Sequence, residues 1–205
     1  MASPAVGDFI GRPAMLASGR LYSLFLLLFL LLLPAGNARA AGPGAGYYPD
    51  GTLQWEYLYQ DGQVREAKWY DPQGRMTART LFADGRQSLS EGYRADGSLE
   101  WQLRELGDDR QEVTRFGAGR RPEVRYQVAS GKVDGPSTLF YPNGQPRQMV
   151  TFRTGIPHGP ARTYYDTGQV ESEYAYRDGQ LDGPCRSFSA DGRPAPESRC
   201  ENDIR

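Results

Sequence analysis

One histidine, two cysteines and two lysines (Lys68 and Lys132) occur among the 205 residues. So few soft and imidazole ligands exclude most zinc sites and any multi-histidine metal cluster, and no metal or cofactor is expected. Positive charge is not in excess either. Lys and Arg number 24 against 25 Asp and Glu, a formal charge of −1, which excludes a broadly basic nucleic-acid binder. Gly-x-Ser-x-Gly and His-Glu-x-x-His are absent. The glycine-rich stretch at 42–48 lacks both a preceding strand and a Gly-Lys-Ser/Thr ending, so it reads as a linker and not a phosphate loop. No catalytic residues are identified, and the chain is not expected to be an enzyme.

Only one long apolar run exists, Leu21 to Leu33, broken by Tyr22 and Ser23. It is short of the ~20 residues that span a bilayer and suits the core of a signal peptide. Arg12 and Arg20 flank it with positive charge, Pro34 and Gly36 end its helix, and Ala38-Arg39-Ala40 supplies small residues where a signal peptidase reads. Residues 1–40 are expected to be removed by cleavage between Ala40 and Ala41, with Met15 offering a tidier start than Met1. The mature chain then carries 21 basic and 24 acidic residues, which gives no attraction to anionic lipid and no stable anchor. A periplasmic or secreted location follows.

What the sequence has in quantity is glycine (25), proline (15) and aromatics, with 13 Tyr, 8 Phe and 3 Trp. Disordered chains share the first two but are poor in the third. The combination predicts many short strands joined by tight turns. Turn glycines recur from Gly51 to Gly192 at 11 to 13 residues along most of that length. In the second half the period is 24, through Gly131, Gly155 and Gly179, and through Gly144, Gly168 and Gly192. In the first half it is 23, through Gly51, Gly74 and Gly97. The stretch 106–121 breaks the pattern and reads as a looser loop or an irregular repeat.

Turns this close leave no room for crossover helices, so parallel pairing is excluded. Tyr141-Pro142-Asn143-Gly144 suits a type I turn closing into a glycine bulge. Leu53, Trp55, Tyr57 and Tyr59 alternate with polar residues, as do Leu99, Trp101 and Leu103. The fold class is therefore all-β: an antiparallel meander of repeated hairpins, roughly 10 to 13 strands, following a signal peptide (1–40) and a linker (41–48) and filling residues 49–205.

The phrases GKVDGPSTLFYPNGQPRQMVTF, from Gly131, and GQLDGPCRSFSADGRPAPESRC, from Gly179, resemble the MORN-variant repeat. Bacterial proteins of this kind include the YwqK-type antitoxins. The resemblance implies an elongated repeat sheet used as an interaction scaffold, without catalysis.

His158 stands where the other two copies have Asp134 and Asp182, so it reads as a turn residue. Tyr141, Tyr164, Tyr165, Tyr174 and Tyr176 form the aromatic stripe most suited to a protein partner, since Tyr and Arg are enriched at interfaces and five arginines lie nearby. Exposed aromatics also suit a cell-wall glycan. In an oxidising compartment Cys185 and Cys200 allow one intramolecular disulfide. Simple register through Ala190-Asp191-Gly192 sets Cys185 opposite Glu197, so a bulge near Pro194 and Pro196 is required.

Overall fold

The computed structural model describes residues 44–196 and the backbone of Ser198 and Arg199. The expected signal peptide with its Ala40/Ala41 cleavage site, and Cys200, lie outside the described residues. The described chain is one antiparallel meander in which each strand pairs with the next as far as the twelfth, which pairs with both the thirteenth and the fourteenth, and the fourteenth pairs with the fifteenth. Its strands are β1 (Gly44–Tyr47), β2 (Leu53–Gln60), β3 (Gln63–Tyr70), β4 (Met76–Ala83), β5 (Arg86–Tyr93), β6 (Leu99–Gly107), β7 (Arg110–Phe116) and β8 (Pro122–Ala129). They continue with β9 (Lys132–Phe140), β10 (Pro146–Arg153), β11 (Ile156–Tyr164), β12 (Val170–Arg177), β13 (Gln180–Leu181), β14 (Pro184–Ser187) and β15 (Ser198–Arg199). The expected topology holds, and the strand number exceeds the expected 10 to 13. Among the described residues no helix is long and apolar enough to cross a membrane.

Two kinds of turn alternate, one kind along each side of the sheet. On one side the turns at Tyr48, Asp71, Arg94, Tyr141, Tyr165 and Ser189 each close with the fourth residue, a glycine, donating its N–H to the first residue's carbonyl. These are the expected type I turns, and the glycine takes φ between 74° and 90°, where a Cβ would be strained. On the other side two-residue turns put both central residues at positive φ, as in Asp61-Gly62, Asp84-Gly85, Ser130-Gly131, Thr154-Gly155 and Asp178-Gly179. That is the type I′ geometry whose twist matches a hairpin.

Two expectations are corrected here. The stretch 106–121 is a whole, in-phase unit. Asp108 and Asp109 form its type I′ turn at φ 51° and 55°. Gly117 to Arg121 fill the type I slot, with the Gly117 N–H donating to the Arg121 carbonyl around a single 3-10 turn at Ala118–Arg120. The period is hidden because Asp109 in one turn and Arg120, at φ 60°, in the other stand where glycine is usual. Replacing Asp109 should relieve that strain: Asp109→Gly is expected to raise stability by about 0.5 to 1 kcal/mol, measured by urea denaturation. Second, the segment read as a linker contains strand β1, whose Gly44 and Gly46 lie opposite Tyr57 and Trp55. Two small residues with no side chain make room there for rings from β2.

Register fixes what each face carries. One row of directly opposed residues runs Tyr57, Ala67, Thr80, Ser90, Leu103, Val113, Tyr126, Ser137, Val150, Ala161 and Tyr174. A second row on that face holds Trp55, Trp69, Ala78, Gly92 and Trp101. This is the aromatic face, and it holds most of the thin core: Ala67, Leu103, Val124 and Ala161 are buried there. Trp55 and Trp69 oppose each other, and each has a small residue on its other side, Gly46 and Ala78, as Trp101 has Gly92. Among the described residues no large side chain is fully enclosed, as befits a single layer.

Candidate functional site

The opposite face starts from alternation: the residues between those rows point the other way. Its central row reads Glu56, Lys68, Arg79, Glu91, Gln102, Thr114, Arg125, Thr138, Met149, Arg162, Glu173 and Arg186. Opposite charges placed directly across a strand pair attract. In the first half they close into a ladder. Lys68 Nζ lies 3.8 Å from Glu56 and 3.4 Å from Glu66, and Arg79 Nε donates to Glu91 at 2.6 Å.

Glu91 is the centre of that ladder and only 2 % exposed. A buried carboxylate must have partners, and it has three. Arg79 Nε and the Tyr93 hydroxyl both donate to Oε2 at 2.6 Å, and Gln102 Nε2 donates to Oε1 at 2.9 Å. Burial pushes the Glu91 carboxyl up, but hydrogen bonds from Tyr93, Gln102 and Arg79 outweigh it and hold it below the usual range. Burial and the bond to Glu91 push the Tyr93 hydroxyl up to about 12. One unit earlier Tyr70 also donates to a carboxylate, that of Glu56 on the neighbouring strand, at 2.7 Å.

The five tyrosines do not share a surface. Tyr174 and Tyr176 lie together on the aromatic face, their rings 5.6 Å apart and edge-on. Tyr164 is on the charged face, its hydroxyl 3.3 Å from Met149 Sδ. Tyr141 and Tyr165 sit in the type I turns and clasp neighbouring units: their hydroxyls donate at 2.8 Å to the carbonyls of Tyr164 and Phe188. Tyr48 donates likewise to the Tyr70 carbonyl, and Arg94 reaches the Phe116 carbonyl. Turn residues recurring one period apart thus bridge consecutive units, and a shallow groove lined by Tyr141, Pro142, Asn143, Tyr165 and Asp166 lies between two of them. A single stripe was expected from spacing in sequence, but bulges such as those between Thr163 and Tyr164 and between Val150 and Phe152 shift which face a residue meets.

His158 takes the place that Asp134 occupies one unit earlier. The Asp134 carboxylate accepts the Thr154 N–H at 2.9 Å, and His158 Nδ1 lies 3.5 Å from the Asp178 nitrogen and 3.3 Å from its carboxylate. Both side chains steady the following type I′ turn.

At the C-terminal end Cys185 is paired with Ser198, and Phe188 bridges to Pro194. The register therefore slips by one residue from the simple hairpin, which had set Cys185 opposite Glu197. A Cys185–Cys200 disulfide remains the expectation if the chain is exported to an oxidising compartment. Intact mass with and without reduction before alkylation checks it, and two alkylatable thiols in unreduced monomer would exclude the bridge.

Comparison with known proteins adds one family signal. Residues 133–153 and 157–178 match the MORN repeat variant, so two adjacent units of the array are repeats of that type. No curated protein matches. Among solved structures, an S. aureus TarM variant crystallised with fondaparinux, alpha-GlcNAc-glycerol and UDP is similar at 14 % identity and a TM-score of 0.36. That match covers 50 % of this chain, and the chain spans only about 20 % of TarM. A GtfA/B complex bound to UDP and GlcNAc is similar at 14 % identity and a TM-score of 0.29, over 70 % of this chain and 29 % of that one. A protein of unknown function from Bacteroides fragilis is similar at 8 % identity and a TM-score of 0.20, over 59 % of this chain and 88 % of that one.

Proposed function

We propose that the chain is an exported, non-enzymatic interaction scaffold that holds a protein partner on its sheet, in an immunity- or antitoxin-like role of the YwqK type. The observation that carries this reading is the unbroken phase of the array. Rows of side chains cross twelve successive strands from β1 or β2 to β12 or β14, giving two continuous faces of opposite chemistry. A repeat sheet of this kind adds contact surface by adding units, and each unit is stabilised by its neighbours. The MORN-variant units at 133–153 and 157–178 support the same reading.

The test has two parts. The envelope form should begin at Ala41 on N-terminal sequencing, and a full-length membrane-fixed species would remove the export premise. Mature protein used as bait on an envelope extract should retain a partner that rebinds, purified, at a fixed stoichiometry. Retention on purified cell wall instead would favour a glycan ligand. An activity abolished by His158→Ala with the fold intact would overturn the non-enzymatic reading.

A further inference from the structure

The two ends of the sheet differ in how their outer edges are protected. At the C-terminal end Pro184 opens β14, Pro194 and Pro196 interrupt the segment that follows, and β15 has only two residues. Proline lacks the N–H that a neighbouring strand would need, so this edge resists extension. The N-terminal edge is β1, Gly44-Ala45-Gly46-Tyr47, which contains neither a charge nor a proline. Among the described residues no strand pairs along its outer side. Shortness is the one protective device it has.

The outward groups of β1 follow from its hydrogen bonding. Tyr48 donates its N–H to the Thr52 carbonyl at 2.8 Å. Successive residues of an antiparallel strand point N–H and C=O to opposite sides, so Gly46 and Gly44 face β2 while Ala45 and Tyr47 face outward. The alternation is unbroken along β1, because the extra residue of the nearby bulge, Gln54, belongs to β2. Ala45 and Tyr47 therefore present two N–H and two C=O groups beyond the sheet. Both residues are exposed, Tyr47 to 62 %.

We infer that β1 pairs antiparallel with β1 of a second copy of this chain, about a two-fold axis normal to the sheet that passes between the two Gly46 residues. This goes beyond the scaffold reading and does not depend on it. A second copy is selected because the strand is its own complement. The axis sets Ala45 opposite Tyr47 of the second copy and Tyr47 opposite its Ala45. Each pair exchanges two backbone hydrogen bonds, and every outward group is satisfied. Each exposed Tyr47 ring gains a small residue beside it. On the aromatic face Gly46 meets Gly46, and room there is already taken up by rings: a Cβ on Gly46 would lie 2.2 Å from Trp55 Nε1, and one on Gly44 would lie 3.4 Å from the Tyr57 ring. The row then reads Trp69, Trp55, Gly46 and the same residues in reverse. On the charged face Glu56 and Ala45 are followed by Tyr47 and Leu53 of the second copy, so this row sets no charge against a like one. Because the axis is normal to the sheet, each face continues on its own side through both copies.

Sedimentation equilibrium of the purified protein in reductant should show a reversible monomer–dimer equilibrium. The contact is small, so dissociation is expected in the micromolar range. Ala45→Pro removes an outward N–H and spares the β2 side of β1, and it should weaken the dimer at least about tenfold. Hydrogen exchange should protect the Ala45 and Tyr47 amides in the dimer and release them on dilution, while Gly46 stays protected in both states. Retained amide resonances of β2 to β12 show that the variant is folded. If it is not, Ala45→Lys with Tyr47→Lys serves, since it keeps every backbone group and sets lysine opposite lysine twice. A monomer up to millimolar concentration, a dimer seen only without reductant, or growth beyond two copies overturns the inference. So does a dimer in which the Ala45 and Tyr47 amides exchange freely, or one that the folded variant forms as tightly as wild type.

Discussion

Gly92→Ala should lower stability by about 2 to 3 kcal/mol, although alanine is the smallest possible change. Gly92 needs no unusual backbone angle. It is buried on β5 directly opposite Trp101, and a Cβ built there would lie 2.1 Å from the indole Nε1 and 2.2 Å from Cε2. No rotamer adjustment of a methyl group relieves that, so the indole or the strand must move, and overpacking of this kind costs about 1 to 3 kcal/mol. The loss is read from urea denaturation. The cause is read from a double-mutant cycle, because the penalty should vanish once Trp101 is alanine. A glycine effect that persists in Trp101→Ala would point to backbone flexibility instead. Gly46, opposite Trp55, makes the same contact at 2.2 Å at the N-terminal end of the sheet. There the expected cost is smaller, because only the short strand β1 depends on it.

The second large effect is expected at Glu91. Glu91→Ala takes the acceptor from Arg79, Tyr93 and Gln102 at once. Removing one partner of a buried charged group costs about 3 kcal/mol or more, and Glu91→Gln, which keeps shape and one acceptor, should cost about half as much. The pH dependence has a definite sign. The folded carboxyl titrates below its unfolded value, so its contribution is complete above the ordinary carboxylate pKa and is lost as pH falls through the lowered one. Wild type should therefore lose stability on acidification more steeply than Glu91→Gln, whose amide does not titrate. Parallel acid unfolding curves for the two proteins would show that Glu91 does not supply the slope.

Much of this architecture was legible in the sequence, and the reasons are local. A type I turn ending in glycine and a two-residue turn with positive φ each leave a mark within four residues, so Tyr141 to Gly144 and the periods of 23 and 24 could be read directly. Alternation over Leu53, Trp55 and Tyr57 likewise showed that one face is apolar. What could not be read depends on register between strands. Glu91 looks like any strand glutamate until Arg79, twelve residues earlier, is set across from it. Gly92 looks like a weak strand residue until Trp101 covers it. The tyrosines Tyr141 and Tyr165 looked like part of a stripe because their spacing matches one, whereas each belongs to a turn and bonds the next unit. At 106–121 the period vanished because Asp109 and Arg120 adopt a glycine's backbone angle, and residue identity alone does not reveal that.

The paired turns have one further consequence, for how such a chain can change its length. Both kinds recur at the same interval, so every unit leaves the chain pointing in the direction, and on the face, at which it entered. Duplicating or excising one whole interval of 24 residues in the second half joins equivalent positions and keeps every later side chain on its own face. Losing a single residue within a strand exchanges the two faces from that point onward unless a bulge absorbs it. Copy number is thus the cheap variable in this fold and phase the protected one, so relatives with more or fewer units should differ by whole intervals.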